Sequence, residues 1–222
     1  MLASLEAARA GERRFLADAS HELRTPVTTL LGNVEYAARH GASAEVLEEL
    51  VRDAERLARL VDDLLVLERA GAPGGSSAAD VVDVAEVVRD VVTSHDGRVA
   101  VVSPVAGSDA MIVRGDAGEL ARAVENLVEN ALVHGPVGGP VTVSVVGAGG
   151  RVLVSVRDEG PGPDPGDVDR LFERFWRGPD ASARPGSGLG LSIVAAIAER
   201  HGGAVRVEGS AFTIDLPALH NP

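Results

Sequence analysis

The chain is 222 residues long, 45% hydrophobic and only 3% aromatic, and carries a net charge of −12. That length makes one large domain or two small ones, with a core of Val, Leu, Ala and Ile. The acidic balance argues against a sequence-independent grip on nucleic acid and against contact with an anionic membrane. There is no cysteine, which excludes a disulfide framework, a thiolate metal site and a thiol nucleophile. All 21 basic residues are arginine, so neither a Walker A loop nor the phosphate-pairing lysine strand of protein kinases can be present. No apolar run approaches the roughly 20 residues of a membrane span and Met1 opens no signal peptide, so the chain as it stands is expected to be soluble.

The spacing predicts a helix from about Leu5 to Arg39, where Leu16, Ala19, Leu23, Pro26 and Leu30 recur at alternating helical steps. In "HGAS", Gly41 can end this helix and Ser43 can cap the next. Leu47, Leu50, Ala54, Leu57, Val61 and Leu64 repeat the spacing, so both segments carry a heptad seam and form an antiparallel hairpin. A lone hairpin buries too little, and two chains are expected to pair into a dimeric four-helix bundle. "GAPGGSSAAD" reads as a linker over 71–79. It divides a helical unit, 1–70, from a second unit, 80–218. In the second unit strands are predicted at Arg98–Ser103, Met111–Arg114, Val141–Val146, Arg151–Arg157, Ala204–Glu208 and Phe212–Leu216. Helices are predicted at Val84–Ser94, Asp116–His134, Asp167–Phe172 and Leu189–His201. That is an α+β layer, one sheet with helices over one face.

Within "DASHELRTPVTTL", placing Leu16 and Leu23 at heptad position a puts His21 at f, away from the seam. Glu22 is adjacent, and Thr25 lies one turn on along the same exposed face. A carboxylate that orients one ring nitrogen makes the other a better nucleophile. Pro26 removes a backbone donor, frees the Glu22 carbonyl and can bend the helix.

Further along, "ENLVENALVHG" sets a core face of Leu120, Val124, Leu127, Val128 and Ala131 beside a polar stripe of Arg122, Asn126, Asn130 and His134. Carboxamide oxygens are hard ligands suited to Mg²⁺ already held by phosphates. "RDEGPGP" ends a strand. Asp158 there can accept a hydrogen bond from an exocyclic amine, and Gly160 and Gly162 let the backbone approach a flat ligand. "LFERFWRGPD" supplies the aromatic pair Phe172 and Phe175. "RPGSGLGLSIV" runs Gly186, Gly188 and Gly190 into a helix start, an anion site by its free N–H groups and dipole. No βαβ unit surrounds it, so it is not the dinucleotide fingerprint. Taken singly, each cluster has an ordinary explanation as a solvated face, a turn or a hydrophobic plug.

In this order, downstream of the hairpin, they resemble the sensor histidine kinases of two-component systems over nearly the whole chain, from about Arg13 to Leu216. "SHELRTP" is similar to their H box, "ENLVENALVHG" to the N box, "DEGPG" to the G1 box, "LFERFW" to the F box and "GSGLGLSIV" to the G2 box. The resemblance implies a helical hairpin forming a dimeric bundle, followed by the ATP-binding sandwich shared with Hsp90, gyrase and MutL-type ATPases. It implies that His21 accepts the phosphoryl group, that Glu22 is its base or orienting group, and that Thr25 positions water in phosphatase-competent members. It implies that Asn130 binds Mg²⁺, that Asn126 and His134 help hold the nucleotide, and that Asp158 contacts adenine in a pocket shaped by Gly160 and Gly162. Gly186, Gly188, Leu189 and Gly190 would line the lid and phosphate site, anchored by Phe172 and Phe175. Val133 stands where many members carry Lys or Arg, and Arg174, Arg177 or Arg184 could replace that charge.

The implied cofactors are ATP and Mg²⁺. The implied partners are a second copy of the chain and the receiver domain of a cognate response regulator, with no nucleic acid and no direct membrane contact. The chain is expected to be the cytoplasmic portion of a bacterial inner-membrane sensor. Other readings stay open: a phosphatase-dominant form, a catalytically silent dimeric scaffold, and an ATPase driving conformational change. The last leaves "SHELRTP" and the heptad hairpin unexplained.

Overall fold

The computed structural model describes residues 2–70, 80–95, 97, 99–101, 111–178 and 186–219. The linker 71–79 and Arg184 lie outside them. The chain divides into two compact units, Met1–Leu65 and Val66–Pro222.

The first unit holds α1 (Leu2–His40) and α2, which starts at Ala44 and runs on to Ala70. The turn between them forms as its residues dictate. Gly41 has a φ of 86° and its N–H bonds back to Ala37 O, while Ser43 Oγ accepts from Val46 N–H at 3.4 Å. The expected single seam resolves into two stripes. Phe15, Ala19, Pro26, Leu30 and Asn33 on α1, and Val46, Leu50, Asp53, Leu57 and Leu60 on α2, are half-buried or buried. Asn33 Nδ2 donates to Asp53 Oδ2 at 3.3 Å, so these stripes face each other. Leu16, Val27, Leu31 and Val34 on α1, and Leu47, Val51 and Val61 on α2, stay exposed. Leu16, Leu47 and Val61 therefore belong to a different face from Leu50 and Leu57, because an a/d pattern wider than two positions wraps past one partner.

The second unit is one helical layer on a sheet. A five-stranded sheet runs in the order β2 (Val99–Val101), β4 (Val141–Ala148), β5 (Arg151–Arg157), β7 (Ala211–Pro217), β6 (Ala204–Glu208). β2 pairs with β4 in parallel and the other neighbours are antiparallel. Alternate valines, Val141, Val143 and Val145 on β4 and Val152, Val154 and Val156 on β5, are buried. That period of two lays one apolar face under α3 (Val84–Thr93), α4 (Ala117–His134) and α5 (Gly190–Arg200). Those helices contribute Val88, Leu127, Val128, Ile193 and Ile197 to the same core.

Two expectations change. The strand near Met111 does not join the main sheet. It is β3 (Ile112–Gly115), and it pairs antiparallel with β1 (Asp80–Asp83), which the sequence reading placed beside the linker without a strand. Val82 meets Val113 in that ribbon, and both are buried. The helix expected at Asp167–Phe172 is only a 3₁₀ turn, Val168–Arg170. Asp167 N–H bonds to Asp164 O and Glu173 N–H to Arg170 O, both with a spacing of three. A run this short, entered through Pro165 and Gly166, cannot repay helix nucleation.

Asp83 caps α3, accepting from Ala85 N–H at 2.9 Å and Glu86 N–H at 3.4 Å, and Asp116 caps α4, accepting from Glu119 N–H at 3.0 Å. Leu189, at the N-cap of α5, offers no side-chain cap, so that helix start presents backbone donors.

Candidate active site

The expected site residues fall into two groups, one in each unit. In the first unit His21 is exposed, with 76% of its side chain open to solvent. Its Nδ1 lies 3.8 Å from Glu22 Oε1, and Glu22 is partly covered, at 39%. At 3.8 Å Glu22 stands beside the Nδ1 edge of the ring, beyond hydrogen-bond distance. Thr25 is exposed one turn on. Pro26 lies inside α1, with no N–H to give the Glu22 carbonyl. Flanking hydroxyls fold back on the helix: Ser20 to Leu16 O at 2.7 Å, Thr28 to Arg24 O at 2.8 Å and Thr29 to Thr25 O at 3.2 Å.

In the second unit the glycine-rich loops converge. Asp158 follows β5 and is 7% exposed, an unusual place for a carboxylate. Its Oδ1 accepts from Gly160 N–H at 2.6 Å. Among the described residues Oδ2 has no hydrogen-bond partner, which leaves an acceptor for a donor from outside. The walls are close. A Cβ at Gly160 would lie 2.6 Å from Asp158 Oδ1, and one at Gly135 would lie 2.9 Å from Asp158 Cβ. Gly162 has a φ of 74°, which favours glycine, and a Cβ there would collide with the Gly209 carbonyl.

The N-box and G2-box residues meet at the start of α5. Asn126 donates through Nδ2 to Arg122 O at 2.9 Å, which turns Oδ1 toward Gly190. A Cβ at Gly190 would lie 2.9 Å from that Oδ1. Gly188 has a φ of 71°, and a Cβ there would lie 2.8 Å from both Phe175 C and Trp176 O. Phe175 is itself in the left-handed region at φ 61°, the one non-glycine there among the described residues. The F-box backbone thus packs directly on the G2 loop. Leu189 is fully buried, and its N–H donates to Ser187 Oγ at 3.3 Å.

Asn130 is half-buried one turn beyond Asn126, and His134 ends α4, exposed. Phe172 is half-buried, and Gly186 is open with no atom near its would-be Cβ. Gly135, Gly209 and Ser210 were missed by sequence reasoning. Gly135 ends the recognised "NALVHG", but Ser210 gives no local signal.

The residues fit a purine nucleotide: a buried carboxylate with a spare acceptor, glycine walls and an uncapped helix start for phosphate. Among the described residues no cluster of three or more His, Cys, Asp or Glu could hold a metal by itself. The donor set therefore suits Mg²⁺ bound through Asn130 and phosphate oxygens together.

Comparison with known proteins gives the same assignment. Residues 12–73 match the His Kinase A (phospho-acceptor) domain, and residues 115–220 match the histidine kinase-, DNA gyrase B-, and HSP90-like ATPase family. Sensor-like histidine kinase SenX3 of Mycobacterium tuberculosis is 37% identical over 98% of this chain and 56% of its own length. The chain thus spans little more than half the length of that relative. The solved structure of mycobacterial sensor histidine kinase MprB is 34% identical at a TM-score of 0.54, covering 63% of this chain and 97% of that one. Acinetobacter baumannii histidine kinase AdeS, at 24% identity, shares the fold with a TM-score of 0.69 over 90% of this chain and 98% of that one. With both family models matched and 34% identity across nearly all of the solved MprB chain, the chain belongs to the sensor histidine kinases of two-component systems.

Proposed function

We propose that the chain is an ATP-dependent protein-histidine kinase that phosphorylates His21 and passes the phosphoryl group to an aspartate of a separate response regulator. The observation that carries this reading is the exposed His21 imidazole with Glu22 Oε1 at 3.8 Å from Nδ1. Nε2 attacks the γ-phosphorus of ATP, the N–P bond forms, and the bond to the bridging oxygen breaks to release ADP. The Nδ1 proton passes to Glu22, so charge does not accumulate on the ring. Asp158 accepts from the adenine amine, and the N–H groups at the start of α5 face the phosphates. Mg²⁺, bound through Asn130 and the phosphates, would neutralise phosphate charge. Transfer of this kind depends on positioning more than on covalent help.

The phosphoryl acceptor would be a receiver-domain carboxylate. The exposed apolar stripe of the hairpin supports a homodimer, since contiguous exposed apolar surface marks an interface. No described helix is long and apolar enough to cross a membrane. That is in keeping with a cytoplasmic portion of a membrane sensor. Thr25, exposed on the histidine's face, favours an added phosphatase activity toward the regulator.

Incubation with γ-labelled ATP and Mg²⁺ tests the proposal. Label that is acid-labile, alkali-stable and lost in His21→Ala is expected. Label that survives His21→Ala would overturn it. Thr25→Ala is expected to keep self-phosphorylation while slowing loss of phosphate from a phosphorylated receiver domain.

A further inference from the structure

We infer that Glu119, Arg200 and His201 form a register lock between α4 and α5, and so act as positioning residues for the phosphate end of the nucleotide site. This rests on the reading of the α5 start as the phosphate contact and of Asn130 as the Mg²⁺ contact. The two helices pack against each other in opposite directions. The start of α5 meets the middle of α4, where Asn126 Oδ1 stands 2.9 Å from a would-be Cβ on Gly190. The end of α5 meets the start of α4 through two adjacent residues. Arg200 Nη1 pairs with Glu119 Oε1 at 3.2 Å, and both side chains are mostly buried, at 15% and 14% exposure. His201 Nδ1 donates to Ile197 O at 2.7 Å, one turn back in its own helix, which leaves Nε2 to accept from Asp116 N–H at 3.1 Å. The ring fills the place where a side chain on Gly115 would stand.

Stability does not account for the ion pair. Glu119 Oε2 is buried without a hydrogen-bond partner among the described residues. A buried pair with an acceptor left over gains little over apolar side chains of similar volume, and its best-attested use is to fix registry. Registry is what the rest of this helix pair leaves open. Leu127, Val128, Ile193 and Ile197 are aliphatic and buried. Attraction between such side chains has no direction, so it sets the separation of the helices more firmly than their position along the axis. α5 is 11 residues long, about 16 Å, and its N-cap, Leu189, supplies no side-chain bond. A helix this short moves as a rod. A slip at its far end carries the backbone N–H groups near Gly190 by the same amount past Asn126 and Asn130. Phosphate at those N–H groups and Mg²⁺ at Asn130 have to meet at one distance, so an error of register falls on the phosphates. Asp158 follows β5, outside this helix pair, and its contact with the base is spared. Glu119, Arg200 and His201 stand a helix length from Gly190, so they act through α5 and are not catalytic residues.

The test is the double variant Glu119→Leu with Arg200→Met in the full chain, which replaces the ion pair by apolar side chains. Urea unfolding, ADP binding with Mg²⁺, and displacement of ADP by adenosine are measured together. The urea midpoint is expected to hold or rise. The ADP Kd is nonetheless expected to rise about fivefold, less than the worth of one charge-assisted hydrogen bond, while adenosine affinity moves less than about twofold. A merely structural pair gives another result, in which affinity follows stability. His201→Ala removes the other tie and is expected to shift ADP against adenosine in the same sense. ADP binding at the unaltered level in the folded double variant would overturn the inference, as would ADP and adenosine affinities falling by the same factor. Should the double variant not fold, His201→Ala decides the matter by the same ratio. Unaltered protein that binds no ADP would overturn the nucleotide reading itself, whereas unaltered protein and variants that bind ADP equally well would overturn the lock alone.

Discussion

Gly115 and His201 lend themselves to a double-mutant cycle whose outcome follows from the contacts. His201 follows α5 and bridges to the start of α4. Its Nδ1 bonds to Ile197 O at 2.7 Å, and its Nε2 accepts from Asp116 N–H at 3.1 Å. The ring lies where a Cβ on Gly115 would stand, far inside contact distance of ring carbons and nitrogen. Gly115→Ala must therefore expel the ring, losing both hydrogen bonds and adding strain. About 1–3 kcal/mol for overpacking plus roughly 1–2 kcal/mol for the bonds gives a cost near 3–4 kcal/mol. His201→Ala alone loses the bonds and leaves a space, about 1–3 kcal/mol. In the double variant the new methyl enters that space, so the total should stay near the His201→Ala value, and the cycle should show a coupling close to the whole Gly115→Ala cost, about 3–4 kcal/mol. Urea unfolding followed through Trp176, the chain's single tryptophan, reports on the second unit directly. Additive costs within about 0.5 kcal/mol would refute the reasoning, since they would mean that the methyl and the ring do not compete for one place.

Two further outcomes are expected. Asp215 is 4% exposed between Arg151 Nε at 2.6 Å and Arg206 Nη2 at 2.5 Å, while the arginines themselves are 38% and 71% exposed. Asp215→Ala should therefore cost about 2 kcal/mol in urea unfolding rather than the 3–5 kcal/mol of a stranded buried charge, because both guanidinium groups can turn to water. Gly188→Ala places a Cβ 2.8 Å from the Phe175 and Trp176 backbone at a φ of 71°. It should cost about 2–4 kcal/mol and weaken ATP binding, measured by thermal unfolding and by titration with ADP.

What sequence revealed and what it hid divide along a physical line. Periodicity is local, so α1 and α2 were legible as helices, and α4 and the valine strands to within two residues. Caps are local as well, and Gly41 and Ser43 could be read from neighbours. The ribbon β1–β3 was hidden because a four-residue strand carries too little pattern, and its partner lies some thirty positions downstream. The boxes could be read from the sequence, but the ties between their residues could not. Asp158–Ser210, Asp116–His201 and Arg151–Asp215 are separated by 52, 85 and 64 residues. Nothing in the local spacing of Ser210 or His201 distinguishes it from any other polar residue at the end of an element. The heptad reading put on one seam the apolar positions that the hairpin divides between a covered and an exposed stripe.

That division bears on why His21 is exposed. At 100° per residue, the α1 positions facing α2, from Phe15 to Asn33, form one stripe. Leu16, Val27, Leu31 and Val34 form a second about 100° round the helix. His21 and Thr25 lie about 100° or more from both. In the proposed dimer this helix would use two of its three faces, one on its hairpin partner and one on the second chain, and the third would stay open to a soluble domain. Glu22 falls between the first stripe and that third face. This explains its half-burial beside an open histidine. Asn33, in the first stripe, adds a polar constraint on that geometry. Its bond to Asp53 fixes how α1 is turned against α2, and so fixes the direction in which His21 points.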